Sequence, residues 1–189
     1  MISLIVGLGN PGDEYKKTRH NAGFLLLDEL ANKYAASFSY ESKFKADVAK
    51  VMVDGNSVRL IKPQTFMNKS GLSVRACANY FEVPAEQILV VHDELDIDAG
   101  LVRLKFGGGH GGHNGLRDII AQMSTKDFYR LRLGVGHPGD RNKVVSYVLK
   151  APSKIEALLL EEVINRVTEE IPAICRGEYQ SVMGRLHGK

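Results

Sequence analysis

Lys45-Ala46-Asp47-Val48-Ala49-Lys50-Val51-Met52-Val53-Asp54-Gly55-Asn56-Ser57-Val58-Arg59-Leu60-Ile61-Lys62 reads as two strands about a tight turn. The runs Lys45–Val53 and Ser57–Lys62 are rich in β-branched and aliphatic residues, and Asp54-Gly55-Asn56 suits the positive φ angles that join antiparallel strands. Outward from this hairpin the pattern changes. On its N-terminal side Ile2–Leu8 reads as a strand and Phe24–Tyr34 as an amphipathic helix. On its C-terminal side come a helix over Ser70–Phe81, strands over Ile88–His92 and Leu101–Phe106, a helix over Leu116–Met123 and a strand over Tyr129–Val135. Beyond Pro152 the periodicity is helical, with interruptions expected around Pro172 and Gly177. Strands alternating with helices indicate an α/β fold, and the single hairpin makes its sheet mixed rather than purely parallel.

With 189 residues, 44% of them hydrophobic, the chain fits one domain over residues 1–189 with a substantial core. A formal charge of +3 permits nucleic acid without requiring it. Cys77 and Cys175 lie far apart in apolar, helix-like stretches, which favours buried free thiols and a reducing compartment over a disulfide or a zinc site. The Ile2–Leu8 run lacks a basic flank and is too short to span a membrane, so the cytoplasm is the expected location.

Gly7-Leu8-Gly9-Asn10-Pro11-Gly12 matches the dinucleotide fingerprint G-x-G-x-x-G after a strand. That fingerprint needs a helix opening at the last glycine and an acidic residue ending the next strand. Here Pro11-Gly12 is a turn dipeptide, and Asp28 and Glu29 fall in a helical pattern. A plain turn accounts for the glycines but leaves Asn10 offered at the end of a strand, where α/β sheets meet ligands. His20, in Thr18-Arg19-His20-Asn21-Ala22-Gly23, is on local grounds a cap or surface residue unless a partner activates it. Asp93, at the C-terminal end of Ile88–His92, is such a partner, because a carboxylate beside imidazole fixes its tautomer and stabilises its protonated ring. The bland alternative places Asp93 with Glu94, Asp96 and Asp98 in a solvated acidic turn.

Asn68 and Asn114 each precede a helix and suit N-caps, yet with Asn10 they could converge on an amide or ester. No G-x-S-x-G elbow is present and neither cysteine has nucleophile surroundings, which makes water the expected nucleophile. Gly107-Gly108-Gly109-His110-Gly111-Gly112-His113-Asn114-Gly115 announces a site, since so many glycines are worth ordering only where backbone must turn or approach closely. His92, His110, His113 and Asp93 could assemble zinc ligands, but H-E-x-x-H and C-x-x-C are absent and a glycine loop is a poor platform. The loop also lacks the Lys-Ser/Thr of a phosphate cradle, leaving Lys105, Arg130 and Arg132 as phosphate candidates.

Taken in order, Gly7–Gly12, Thr18–Gly23, Phe66-Met67-Asn68, His92–Asp96, Gly107–Gly115 and Arg130–Gly139 resemble bacterial peptidyl-tRNA hydrolases over nearly the whole chain. The resemblance implies a single-domain α/β fold, a twisted mixed sheet surrounded by helices, without metal or other cofactor. It implies a monomer needing no protein or membrane partner, acting on peptidyl-tRNA through its acceptor stem and 3′ end. The implied reaction is hydrolysis of the ester joining a peptide or N-blocked aminoacyl group to the 3′-terminal adenosine. His20 then corresponds to the catalytic base, Asp93 to its orienting partner, and Asn10 to the residue that tells a blocked from a free amino group. Tyr15, Phe66, Met67, Asn68 and Asn114 correspond to substrate contacts, and Lys105 and Arg132 to a clamp on the tRNA 5′-phosphate. His110 and His113 become supporting or surface residues, and the glycine run a flexible gate. The alternative is a non-catalytic RNA- or dinucleotide-binding α/β module.

Overall fold

The computed structural model describes residues 1–188. Seven strands form one sheet: β1 (Leu4–Gly7), β2 (Ser39–Glu41), β3 (Ala46–Val53), β4 (Asn56–Pro63), β5 (Ile88–Glu94), β6 (Val102–Phe106) and β7 (Tyr129–Gly134). Their order is β2-β3-β4-β1-β5-β7-β6. The centre, β4-β1-β5-β7, is parallel, while β2-β3-β4 on one flank and β6-β7 on the other pair antiparallel. The hairpin read from the sequence is present, with Val53 opposite Asn56 and positive φ at Asp54 (50°) and Gly55 (80°). Both angles are those of a type I′ turn, whose twist matches that of the strands it joins.

Six helices cover the sheet among the described residues: α1 (Ala22–Lys33), α2 (Ser70–Tyr80), α3 (Asn114–Met123), α4 (Val144–Val148), α5 (Lys154–Cys175) and α6 (Tyr179–His187). On one face Leu26 and Leu30 of α1, Val163 and Val167 of α5 and Val182 of α6 pack on Ile5, Leu60, Leu89 and Leu131. On the other, Val74 and Cys77 of α2 with Leu116 and Ile119 of α3 pack on Leu4, Val6, Ile61 and Val90. Alternation along β1 and β5 thus feeds two cores, which is why these strands read as continuous apolar runs. Both cysteines are free and buried, and burial pushes each thiol up to about 11. No described helix is long and apolar enough to cross a membrane. At the β6 rim, α6 brings His187 Nε2 to accept the Leu104 N–H at 2.9 Å.

Several expectations are corrected. β1 is shorter than Ile2–Leu8; the motif after it turns as Pro11-Gly12 led one to expect, with Gly12 at φ 106° leading into a single 3₁₀ turn at Asp13–Tyr15. The glycines serve packing instead. A Cβ on Gly23 would lie 2.4 Å from the Val91 carbonyl oxygen and 2.5 Å from the Leu8 nitrogen, so α1 rests directly on the backbone of β5 and of the residue that follows β1. Pro172 does not interrupt α5, which runs unbroken to Cys175. Proline withholds the N–H that would bond Thr168 O, and Lys33 Nζ approaches that carbonyl at 3.5 Å instead. Gly177, at φ 85°, does end the helical run. The sequence reading missed β2 and α4 altogether.

Candidate active site

The C-terminal ends of the parallel strands carry the site. β1 delivers Asn10, the loop after β4 delivers Met67 and Asn68, and β5 ends on Asp93 and Glu94. They border a cavity of about 290 Å³ that is also lined by His20, Leu95, Gly111, Gly112, His113, Asn114, Val144, Val145, Val148 and Leu149. Catalytic candidates read from distant parts of the sequence therefore meet at one sheet edge.

His20 Nδ1 lies 3.0 Å from both oxygens of Asp93, whose side chain is 2% exposed. That contact places the proton on Nδ1 and leaves the Nε2 lone pair as the free basic atom. Burial disfavours the charged imidazole, but the Asp93 charge and hydrogen bond outweigh it and raise the His20 pKa above its ordinary 6.5. Burial likewise opposes ionisation of Asp93, and the charges and hydrogen bonds of His20 and His113 overcome it, holding the carboxyl well below its usual range.

His113 is the residue that sequence reasoning undervalued. Its Nδ1 accepts the Gly115 and Leu116 N–H groups at 3.1 and 3.3 Å, capping α3, so Nε2 carries the proton and donates to Asp93 Oδ1 at 2.9 Å. One imidazole thus starts a helix and orients the carboxylate. His92, fully buried, has its pKa pushed down to about 3 by burial and by His113, and it donates from Nδ1 to the Asp93 carbonyl at 2.8 Å. Ligating atoms of His20, Asp93 and His113 lie within 4.8 Å of one another. The spacing would suit a cation, but the nitrogens facing Asp93 carry protons, and ligation needs a lone pair there.

The asparagines are not caps. His113 caps α3 and Asn114 is its first residue, while Asn68 sits in a 3₁₀ turn before α2. Asn10 Oδ1 accepts the Met67 N–H at 2.7 Å, which turns its amide NH₂ away from that bond. Asn21 holds Asn10 in place, accepting its N–H at 2.9 Å and donating to its carbonyl at 3.0 Å. Met67 is buried against the second core. Phe66 is 58% exposed and meets Tyr15 edge to face at 6.3 Å, and neither ring lines the cavity.

A second cavity, about 280 Å³, adjoins the first through Glu94 and Gly111, and Lys105 and Arg132 line it. Arg132 Nε donates to Glu94 at 2.9 Å. Arg130, named above as a phosphate candidate, also borders this cavity but is buried, with its guanidinium on the Gly108, Gly109 and Lys126 carbonyls. Gly108 and Gly109, the first part of the glycine run, are therefore tied to Arg130 through their carbonyls. Only Gly111 and Gly112 of the run, with His113 and Asn114, border the catalytic cavity.

A family model described as peptidyl-tRNA hydrolase matches residues 4–189. The chain belongs to the peptidyl-tRNA hydrolase family. It is 52% identical over 188 residues to the peptidyl-tRNA hydrolase of Neisseria meningitidis serogroup B strain MC58, covering 100% of this chain and 98% of that protein. It is 53% identical over 184 residues to that of Halorhodospira halophila, covering 97% and 95%. The crystal structure of peptidyl-tRNA hydrolase from Acinetobacter baumannii superposes with a TM-score of 0.96 at 43% identity, covering 98% of this chain and 94% of that one. As a peptidyl-tRNA hydrolase the chain is an enzyme that hydrolyses peptidyl-tRNA, which removes the non-catalytic module as an alternative.

Proposed function

We propose that His20 acts as general base on water in cleaving the ester between a peptide, or N-blocked aminoacyl group, and the 3′-terminal adenosine of tRNA. The observation that carries this reading is the 3.0 Å contact of His20 Nδ1 with Asp93, which frees Nε2 to take a proton. Nε2 removes a proton from water as the water oxygen attacks the ester carbonyl. The tetrahedral oxyanion collapses, the carbon–oxygen bond to the ribose breaks, and the departing oxygen takes the proton back from His20, releasing free tRNA. Asp93 stays ionised and steadies the transient imidazolium.

Asn10, Asn68 and Asn114 supply amide donors for the peptide backbone and the developing oxyanion. A free aminoacyl-tRNA brings an ammonium where these groups expect a peptide amide, which mispairs buried polar groups and disfavours it. Tyr15 and Phe66 contact substrate at the rim and Met67 backs the apolar wall. Lys105 and Arg132 clamp the 5′-phosphate, a contact that measures the acceptor stem without reading bases. The enzyme works as a monomer in the cytoplasm, without an obligate protein partner.

The test is an assay of the purified protein on N-acetyl-aminoacyl-tRNA and its unblocked form, with His20→Ala and Lys105→Ala in parallel. The expected result is cleavage of the blocked substrate alone. His20→Ala should lose about a hundredfold or more in kcat while binding tRNA normally. Lys105→Ala should raise KM and flatten the salt dependence. Full turnover by His20→Ala overturns the base, and a loss confined to kcat in Lys105→Ala overturns the clamp.

A further inference from the structure

We infer that Arg19 is a positioning residue for the peptide side of the site, clasping α4 onto the turn that carries His20. α4 supplies Val144, Val145 and Val148 to the cavity, and Leu149 follows directly. Five residues cannot hold a helix by themselves, so this wall depends on what it is tied to.

Arg19 makes the ties. Its Nη1 donates to the Tyr147 carbonyl at 2.9 Å, and its Cζ lies 3.7 Å from the centre of the Tyr147 ring. Its Nη2 donates to Glu156 Oε1 at 3.2 Å, and its backbone N–H donates to the Lys150 carbonyl at 3.0 Å. Glu156 is itself fixed, accepting the Ser153 N–H at 2.9 Å in the capping box that opens α5. The Tyr147 hydroxyl then donates to the Val135 carbonyl at 2.6 Å, at the end of β7. One guanidinium, 10% exposed in its side chain, thus joins the His20 turn, α4 and the first turn of α5.

The chemistry requires arginine. A planar guanidinium stacks flat on a ring while its in-plane N–H groups reach two separated acceptors, a geometry that the single nitrogen of an ammonium does not match. The base and the apolar wall are therefore tied through adjacent residues: His20 stays held by Asp93, while loosening α4 weakens the grip on the peptide side chain.

The inference rests on α4 facing the peptide side of the substrate, and the experiment separates the two claims. Steady-state kinetics of Arg19→Ala, Arg19→Lys and Leu149→Ser are compared on N-acetyl-leucyl-tRNA and N-acetyl-glycyl-tRNA. Arg19→Ala should raise KM for the leucyl ester about tenfold, with kcat within about threefold, and change the side-chain-free glycyl ester far less. Arg19→Lys should resemble Arg19→Ala. If Arg19→Ala does not fold, Tyr147→Leu removes the ring beneath the guanidinium and should give the same split. Equal KM increases for both esters, or a loss in kcat alone, overturns the clasp. A split in Leu149→Ser without one in the Arg19 variants overturns the clasp alone. No split in any variant overturns it together with the peptide-side reading.

Discussion

On His20, burial and charge pull in opposite directions, and the Asp93 charge wins, so the imidazole titrates above 6.5. A base must be neutral, and kcat/KM should therefore rise with pH along a limb centred above 6.5. Asp93→Asn removes the attraction and leaves burial unopposed, so the limb should move below 6.5 as kcat falls; a stationary limb would show that another group titrates. The sign for stability is opposite: the pair's contribution is complete below the unfolded value of 6.5 and is lost as pH rises through the raised value. The His20 and Asp93 pairing was legible because a carboxylate at a strand end has few places to point. His113 was not legible, because its role depends on the Gly115 and Leu116 N–H groups it caps, and backbone donors leave no mark in sequence. Arg130 was misread for the same reason: its acceptors are glycine carbonyls.

Among the elements, α1 shows how tightly the site is registered to the sheet. Gly23 sits one turn after His20, and a methyl there would collide with the backbone of Val91 in β5 and of Leu8 just after β1. Gly23→Ala should lift the start of α1, cost about 1–3 kcal/mol in chemical unfolding and reduce activity through the displaced His20 and Asn21. An unchanged unfolding midpoint would mean that α1 can slide freely. Regular strands and long helices were readable from periodicity, including the hairpin. α4 was not, since Val144-Val145-Ser146-Tyr147-Val148 is strand-like by propensity and becomes helical because of what binds it. β2 is three largely exposed residues, too short for alternation to register. Pro172 misled because a proline near a helix C-terminus costs one hydrogen bond, and a lysine from α1 reaches the carbonyl it frees.

At the scale of the molecule, a parallel centre gathers strand ends into one site, while β2-β3-β4 closes one flank by local hairpins and β6 joins its antiparallel neighbour β7 on the other through α3. Topology of this kind was legible in class but not in order, because strand order is decided by long-range packing. An open sheet also ends in two rims, each a row of unpaired backbone groups that could template another chain. The β2 rim is short. The β6 rim is longer and carries buried Val102 and Leu104, and there His187 accepts the Leu104 N–H that a second molecule would otherwise use. His187→Ala should leave turnover per folded molecule unchanged but give concentration-dependent light scattering on warming; scattering equal to the parent's would remove this role. Burial and the nearby Arg103 and Arg132 keep that imidazole disposed to stay neutral, and so able to accept. On that prediction the last described helix has a task at a sheet rim, against self-association, apart from the two cavities that carry the site.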